Sequence, residues 1–448
     1  MNSKIRSTLA KWGLLSLLLI IYKILLDFLF FRVYYTVYSY LTNAVYEIVP
    51  SKLIISYVIL GIFILLLINS FANANIYSVI ITIVYTLCIV PMLSSYAVVS
   101  YVSVYDFVWP TIFWIIFVLS LRRFSSTDNG KKRLQISIPT INPASTTVLI
   151  GCVLIGLLCW SWAGFPILLS ISDSLVQRLE LRENSMPTLL AYAFTILGGT
   201  IMPYLFARFL IYKRYMYAAI SLIVGYLLYS VNGMKTWLFL YAVVLIVYYG
   251  CKVFKNNCMK LSYSIIISLC LLLVLCVYSY VAFGMIDFLS QFGRIFCIPS
   301  GIGYQSLHFF SENELLYLRE SILRHLFESP YPGGSDFYMD YGANRTITSG
   351  RSNNGLWGDA YRNFGVVGII LYPIVIAKIV DIIRYSFRRN ELAFTVFILF
   401  AMIWNSINVS FFTWLLSGGV IIVLLLNKLF AIEDYQWHKP YLYEDRSA

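Results

Sequence analysis

The sequence predicts an all-α polytopic membrane protein of about twelve transmembrane helices with one large outward-facing loop. Three observations carry this. Hydrophobic residues fill 60% of the 448 positions and charged residues 12%, with a mean hydropathy of +0.78. A water-soluble chain of this length needs a far more polar surface. Apolar runs close to the roughly 20 residues that cross a bilayer recur along the chain. One segment, residues 286–363, breaks that rhythm with Pro, Gly, Asn, Arg and aromatic residues, and loops of such length are disordered or carry function.

The runs fall near residues 12–31, 52–72, 76–93, 107–122, 146–165, 188–211, 216–231, 235–250, 261–285, 364–384, 391–412 and 415–432. Lys23 and Asp27 lie inside the first, spaced i,i+4, so each neutralises the other on one helix face. That run is long and lacks a small-residue cleavage site, which argues against a cleavable signal peptide. The junction at Asn73–Asn75 carries no charge to orient it. Elsewhere cations do so: Arg122, Arg123, Lys131, Lys132 and Arg133 in one connector, and Lys213 and Arg214 in a second. Lys252, Lys255 and Lys260 mark a third, and Arg384, Arg388 and Arg389 a fourth. Together with Lys4, Arg6 and Lys11 they fall on one side, which the positive-inside rule makes cytoplasmic. Both termini, with the tail 433–448, then lie in the cytoplasm. Segments 166–187, within spans one to nine (1–285), and 286–363, between these and spans ten to twelve (364–432), face outward.

The net charge of +12 is therefore a topology signal, and no nucleic-acid partner is expected. The eight cysteines show no CxxC or Cys/His spacing, and His308, His325 and His438 are too scattered for a metal cluster. No metal or other cofactor is expected, with a single ion between Asp336 and Asp340 as the alternative.

In the large loop, arginines 294, 319, 324, 345, 351 and 362 face carboxylates 287, 312, 314, 320, 328, 336, 340 and 359, so it is no generic basic patch. Ser311 and Glu314 form a capping-box pattern ahead of Leu315, Leu318, Ile322 and Leu326. This predicts an amphipathic helix ending before Pro330. On it Arg324 would pair with Glu320 and Glu328, whereas Arg319 has no carboxylate three or four residues away. His325 reads as a solvated histidine or a base. Turn signals follow at Pro332-Gly333-Gly334 and Ser349–Gly355, interleaved with Tyr331, Phe337, Tyr338, Tyr341 and Trp357. Such rings stack on sugars and also populate interfacial belts. In the shorter outward loop Arg178 and Arg182 share a helical face with no carboxylate three or four residues away, as anion ligands or as a solvated face. Lys235 opens the eighth helix, where its charge opposes the macrodipole unless a phosphate shares that end; a lysine reaching to the interface is the alternative.

The stretch Trp357-Gly358-Asp359-Ala360-Tyr361-Arg362-Asn363-Phe364-Gly365-Val366-Val367-Gly368 leads from the large loop into the tenth span. It resembles the acidic–Ala–Tyr–x–Asn–Phe–Gly–x–x–Gly stretch of bacterial O-antigen repeat-unit polymerases (Wzy-type). Arg178 and Arg182 stand in the smaller outward loop, where that family carries arginines. Arg294, in Gln291-Phe292-Gly293-Arg294, matches the arginine that opens its large loop. The resemblance implies a GT-C-like membrane glycosyltransferase of the bacterial inner membrane, acting in lipopolysaccharide biosynthesis. Its substrates would be undecaprenyl-pyrophosphate-linked oligosaccharides at the periplasmic face, amid membrane lipids. The growing glycan would move from its carrier to a hydroxyl of the next lipid-linked unit, with a flippase and a chain-length regulator as partners.

A leaving pyrophosphate suits the planar fork of arginine. Arg178, Arg182, Arg294 and Arg351 are the expected phosphate ligands, with Lys235 and Arg362 behind them. The attacking hydroxyl calls for a base, for which Asp359 and His325 are the candidates; Asp359 also suits a cap on the tenth helix. Tyr338, Tyr341 and Trp357 are the expected sugar-contacting rings. Two rival readings remain. The related O-antigen ligases share the architecture, but their large loop usually carries a His-Asn element, and here Phe309 follows His308 and Leu326 follows His325. A lipid-oligosaccharide flippase would show internal repeats and charges near the bilayer midplane; the sequence has no repeat of useful strength, and its unexplained charges sit at the outer rim.

Overall fold

The computed structural model describes residues 3–34, 48–71, 75–99, 102–126, 144–167, 186–321, 323–324, 326–332, 334–335, 338, 355–388 and 390–430. Its elements are helical. They are α1 (Ser3–Leu29), α2 (Pro50–Phe71), α3 (Ile76–Val98), α4 (Val104–Ser126), α5 (Ser145–Trp162), α6 (Thr188–Ile211), α7 (Tyr215–Asn232) and α8 (Lys235–Val253). Then come α9 (Cys258–Phe283), α10 (Ile286–Glu312), α11 (Gly355–Ser386), α12 (Leu392–Ser406), α13 (Phe411–Leu415) and α14 (Val420–Leu429).

Among the described residues, 11 helical stretches are long and apolar enough to cross a membrane, which makes this a polytopic helical membrane protein. They coincide with the apolar runs of the sequence, with one exception. The run near 391–412 forms α12, a helix of 15 residues. At 1.5 Å per residue it measures roughly 22 Å, short of the approximately 30 Å hydrocarbon core.

Local sequence explains several boundaries. Asn75 caps α3, its side chain accepting from Tyr77 N, which fixes the uncharged junction left open by the sequence. α3 is almost wholly buried, and two of its hydroxyls are satisfied within the helix: Thr82 and Thr86 donate to the Ser78 and Thr82 carbonyls at 2.7 and 2.9 Å. Widened π turns occur at Tyr85–Ile89 and Leu197–Ile201. Each precedes a proline, Pro91 and Pro203, whose missing N–H and ring would otherwise disrupt the α ladder.

The chain divides into two units. The first holds Met1–Asn129, Asn257–Asp381 and Ile403–Phe412; the second holds Gly130–Asn256, Ile382–Met402 and Thr413–Ala448. In the first, α1 packs on α9, and the Val90–Val98 end of α3 packs on α1, α2 and α10. In the second, α7 packs on α5 and on the Met202–Ile211 end of α6, while Trp237 of α8 lies flat against Gly198, where a Cβ would clash with its ring.

Two expectations are corrected. The helix inside the 286–363 segment is α10, not a helix over 315–327; residues 314–316 are irregular and the described residues from 317 to 326 form turns. Ser311 belongs to the last turn of α10 and donates to the His308 carbonyl at 2.7 Å, so the capping box never forms. Glu314 instead pairs with Arg319, five residues on, at 2.6 Å. Glu320 holds Ser329 Oγ, Ser335 N and Ser335 Oγ at 2.8, 2.6 and 2.6 Å instead of standing in an i,i+4 series. The second correction concerns residues 355–364, expected as the end of the loop, which are helical; the helix breaks at Gly365, so the half-helix that follows begins near residue 364 as expected. The boundary between loop and helix therefore moves upstream of the whole Trp357–Gly368 stretch.

Candidate functional site

α11 is two half-helices joined across Gly365, whose φ of 57° and ψ of −137° lie in a region that suits glycine alone. A Cβ on Gly368 would collide with the Ala360 carbonyl. In a straight helix those two residues stand about 12 Å apart, so the second half-helix folds back against the first.

Such a break frees carbonyls that a continuous helix would use. Those of Arg362 and Asn363 accept from Leu316 N at 2.9 Å and Tyr317 N at 3.3 Å, and Asn363 Oδ1 accepts from Leu318 N at 2.9 Å. Reaching them puts Tyr317 and Leu318 at φ 48° and 66°, a left-handed strain of about 1–3 kcal/mol per residue. Arg319 locks the turn by donating to the Leu316 and Leu315 carbonyls at 2.9 and 2.8 Å. The break and the loop are one structure, each satisfying the other's backbone.

Asp359 organises this structure from within. It is 1% exposed. Its Oδ1 accepts from Arg362 Nε at 3.1 Å and Asn363 Nδ2 at 3.1 Å, and its Oδ2 from Phe411 N at 2.9 Å. The last bond caps α13, so the carboxylate joins α11 to the chain after α12. A buried carboxylate with three donors is well suited to hold geometry and poorly suited to take a proton from a substrate.

A second polar cluster lies in the same unit. Ser103 and Asp106 form a reciprocal capping box at the start of α4. Asp106 Oδ2 accepts from Ser103 N and Oγ at 3.0 and 2.8 Å, and Asp106 N donates to Ser103 Oγ at 3.1 Å. His308 of α10 brings Nδ1 to 3.8 Å from that same Oδ2. Lys52 donates to the Val99 carbonyl at 2.9 Å and lies within electrostatic reach of Asp106, as does Tyr361 of the first half-helix. Ser103-Val104-Tyr105-Asp106 is a capping-box signature by spacing alone; the approach of His308 carries no such local signal.

The candidate residues fare differently. Asp359 and Arg362 come together as a buried pair. Trp357 is 5% exposed, seated on Gly303, where a Cβ would clash with its ring, and edge-on to Tyr304 at 5.2 Å; in this arrangement it is a packing ring without an open face for a sugar. Tyr338 is exposed, with its ring 5.3 Å from that of Tyr331. Burial, then the Glu314 and Glu320 carboxylates, pushes the Tyr331 phenol up, so it stays a donor, to the Glu314 carbonyl at 2.7 Å. Lys235 begins α8 in the second unit. Arg294 lies on α10, its side chain outside the described set. Arg178, Arg182, His325, Tyr341 and Arg351 lie outside the described residues altogether. Among the described residues no group of three His, Cys, Asp or Glu could hold a metal ion.

An apolar recess of about 230 Å³ is bordered by Phe28, Phe31, Leu53, Ala97 and Val98, with Asp27 and Tyr57 as its polar members. Leu53 and Val98 adjoin Lys52 and Val99 of the Asp106 cluster. No family model, curated protein or solved structure matches the chain.

Proposed function

We propose that the chain polymerises undecaprenyl-pyrophosphate-linked oligosaccharide repeat units at the periplasmic face of the inner membrane, as a GT-C-like glycosyltransferase. The observation that carries this reading is the architecture of Trp357–Gly368. The stretch that resembles the repeat-unit polymerases is the one around which the helix break and residues 314–319 are built. A site for two lipid-linked saccharides needs a rigid rim, and a broken helix whose freed backbone is satisfied by a loop supplies one. The recess beside Lys52 is apolar enough for part of a prenyl chain.

In this reading a hydroxyl of the incoming unit attacks the anomeric carbon of the growing glycan. The bond from that carbon to the pyrophosphate oxygen breaks, and the electron pair leaves with the phosphate. Guanidinium groups stabilise that charge, with Arg294, Arg178, Arg182 and Arg351 as the proposed ligands. Asp359 and Arg362 hold the rim, a positioning role that replaces the expected use of Asp359 as base.

The test is the glycan ladder of cells that normally carry the chain. Its removal is expected to leave single repeat units, and the wild-type chain to restore long polymer. Arg294→Ala or Arg178→Ala is expected to reach the membrane in normal amount without restoring polymer. Long polymer made without the chain would overturn the proposal, and finished polymer that stays unattached would favour the ligase.

A further inference from the structure

Resting on that reading, we propose that His308 is the general base of the transfer and that Asp106 positions its imidazole. The reaction needs a group that takes the proton of the attacking hydroxyl. Asp359 is sealed within three hydrogen bonds. His308, by contrast, is half-open, with 49% of its side chain exposed against 5% for Asp106.

The geometry of the pair follows from the capping box. Asp106 Oδ2 is fixed by Ser103 N and Oγ, so the carboxylate cannot follow the histidine; the histidine must come to it. Nδ1 is the nitrogen that faces the carboxylate, at 3.8 Å. That spacing is an ion-pair distance and longer than a hydrogen bond, and contacts of this kind commonly tighten when substrate binds. A carboxylate drawn up to Nδ1 favours the proton there, the tautomer in which Nε2 can accept from a substrate hydroxyl.

Placement agrees with this role. Tyr361, within electrostatic reach of Asp106, lies two positions after Asp359 in the first half-helix, so the pair adjoins the stretch that carries the resemblance. Among the described residues, the charged and titratable groups facing Asp106 are His308 from α10, Lys52 from α2 and Tyr361 from α11, with Tyr105 beside it on α4.

In the step itself the acceptor oxygen forms the new bond to the anomeric carbon as the carbon–phosphate oxygen bond breaks. The hydroxyl proton passes to His308 Nε2, and the imidazolium is balanced by the Asp106 carboxylate. The proton then leaves to solvent or to the departing pyrophosphate.

The experiment uses the full chain in proteoliposomes, fed with undecaprenyl-pyrophosphate oligosaccharide extracted from cells that lack the chain, and reads initial polymerisation rate against pH. Acidification is expected to slow the wild type as the imidazole takes up its proton. His308→Ala and His308→Gln are expected to lose about 100-fold or more in rate, with added imidazole restoring part of the activity of His308→Ala, which a purely structural histidine would not allow. Asp106→Asn is expected to move the acid limb to lower pH, since an imidazolium would lose the carboxylate 3.8 Å from Nδ1. Tyr361→Phe leaves the limb in place. A wild-type chain that makes no polymer defeats the reading of function. A wild type that polymerises while His308→Gln matches its rate and pH profile defeats only the assignment of His308, as does an acid limb that Asp106→Asn leaves where it was.

Discussion

Two ion pairs in the first unit differ in what depends on them. Lys23 and Asp27 are one helical turn apart, with Nζ at 2.9 and 2.7 Å from the two carboxylate oxygens. Tyr57 completes the group by donating to Asp27 at 2.9 Å, its ring 4.1 Å from the ammonium. This pair neutralises itself inside α1 and leaves the helix intact there. Asp359 and Arg362 are also within one turn, but their partners are backbone groups of other segments: Phe411 N on the carboxylate, and Leu316 N on the Arg362 carbonyl. The first pair reduces the cost of two charges in an apolar setting. The second uses charge to join separate stretches of chain.

The contrast can be broken by substitution, and the largest effect is expected at Asp359. Asp359→Ala strands a buried guanidinium and uncaps α13, a loss of about 3–5 kcal/mol. The measurement is thermal unfolding in detergent together with protease access to residues 314–319. A variant that unfolds like the wild type with an equally protected loop removes Asp359 from the centre of the account. A smaller effect is expected from Gly365→Ala, which forces an alanine into glycine-only backbone at a cost of about 1–3 kcal/mol and loosens the same loop without touching a charge. If that loop stays fully protected, the break does not hold it. The smallest effect is expected from removing Lys23 and Asp27 together. Lys23→Met with Asp27→Leu should fall within about 1 kcal/mol of wild type, as buried pairs exchanged whole for apolar residues often do, whereas Lys23→Met alone leaves a bare carboxylate and costs more. A double variant as damaged as the single one would mean that this pair, too, serves something beyond itself.

The same contrast explains what could be read from sequence. Lys23 and Asp27 were legible because both partners lie within one turn, and the spans were legible because a run of apolar residues has few alternatives in a bilayer. The first half of α11 was not. Trp-Gly-Asp-Ala-Tyr-Arg-Asn reads as loop, and it is helical because distant N–H groups and the fold-back at Gly368 accommodate its polar atoms. Residues 311–318 failed in the opposite sense. Ser311 and Glu314 carry a local helix signal, but the N–H groups of 316–318 are taken by the break in α11. Asp359 signals a helix cap by its residue type, but the N–H that it caps, that of Phe411, lies 52 residues on and leaves no mark in the local sequence. The Ser103–Asp106 box was readable by spacing. Its approach to His308 depends on packing between α4 and α10 and leaves no mark in either segment alone.

The account stands most directly on whether carrier release and chain growth are one event. Proteoliposomes holding the purified chain and extracted lipid-linked repeat units allow both to be counted by mass spectrometry. The prediction is one undecaprenyl pyrophosphate released for each repeat unit added, with no lipid A-core acceptor present. Carrier released without longer glycan, or units moved across the bilayer with neither change, would contradict it.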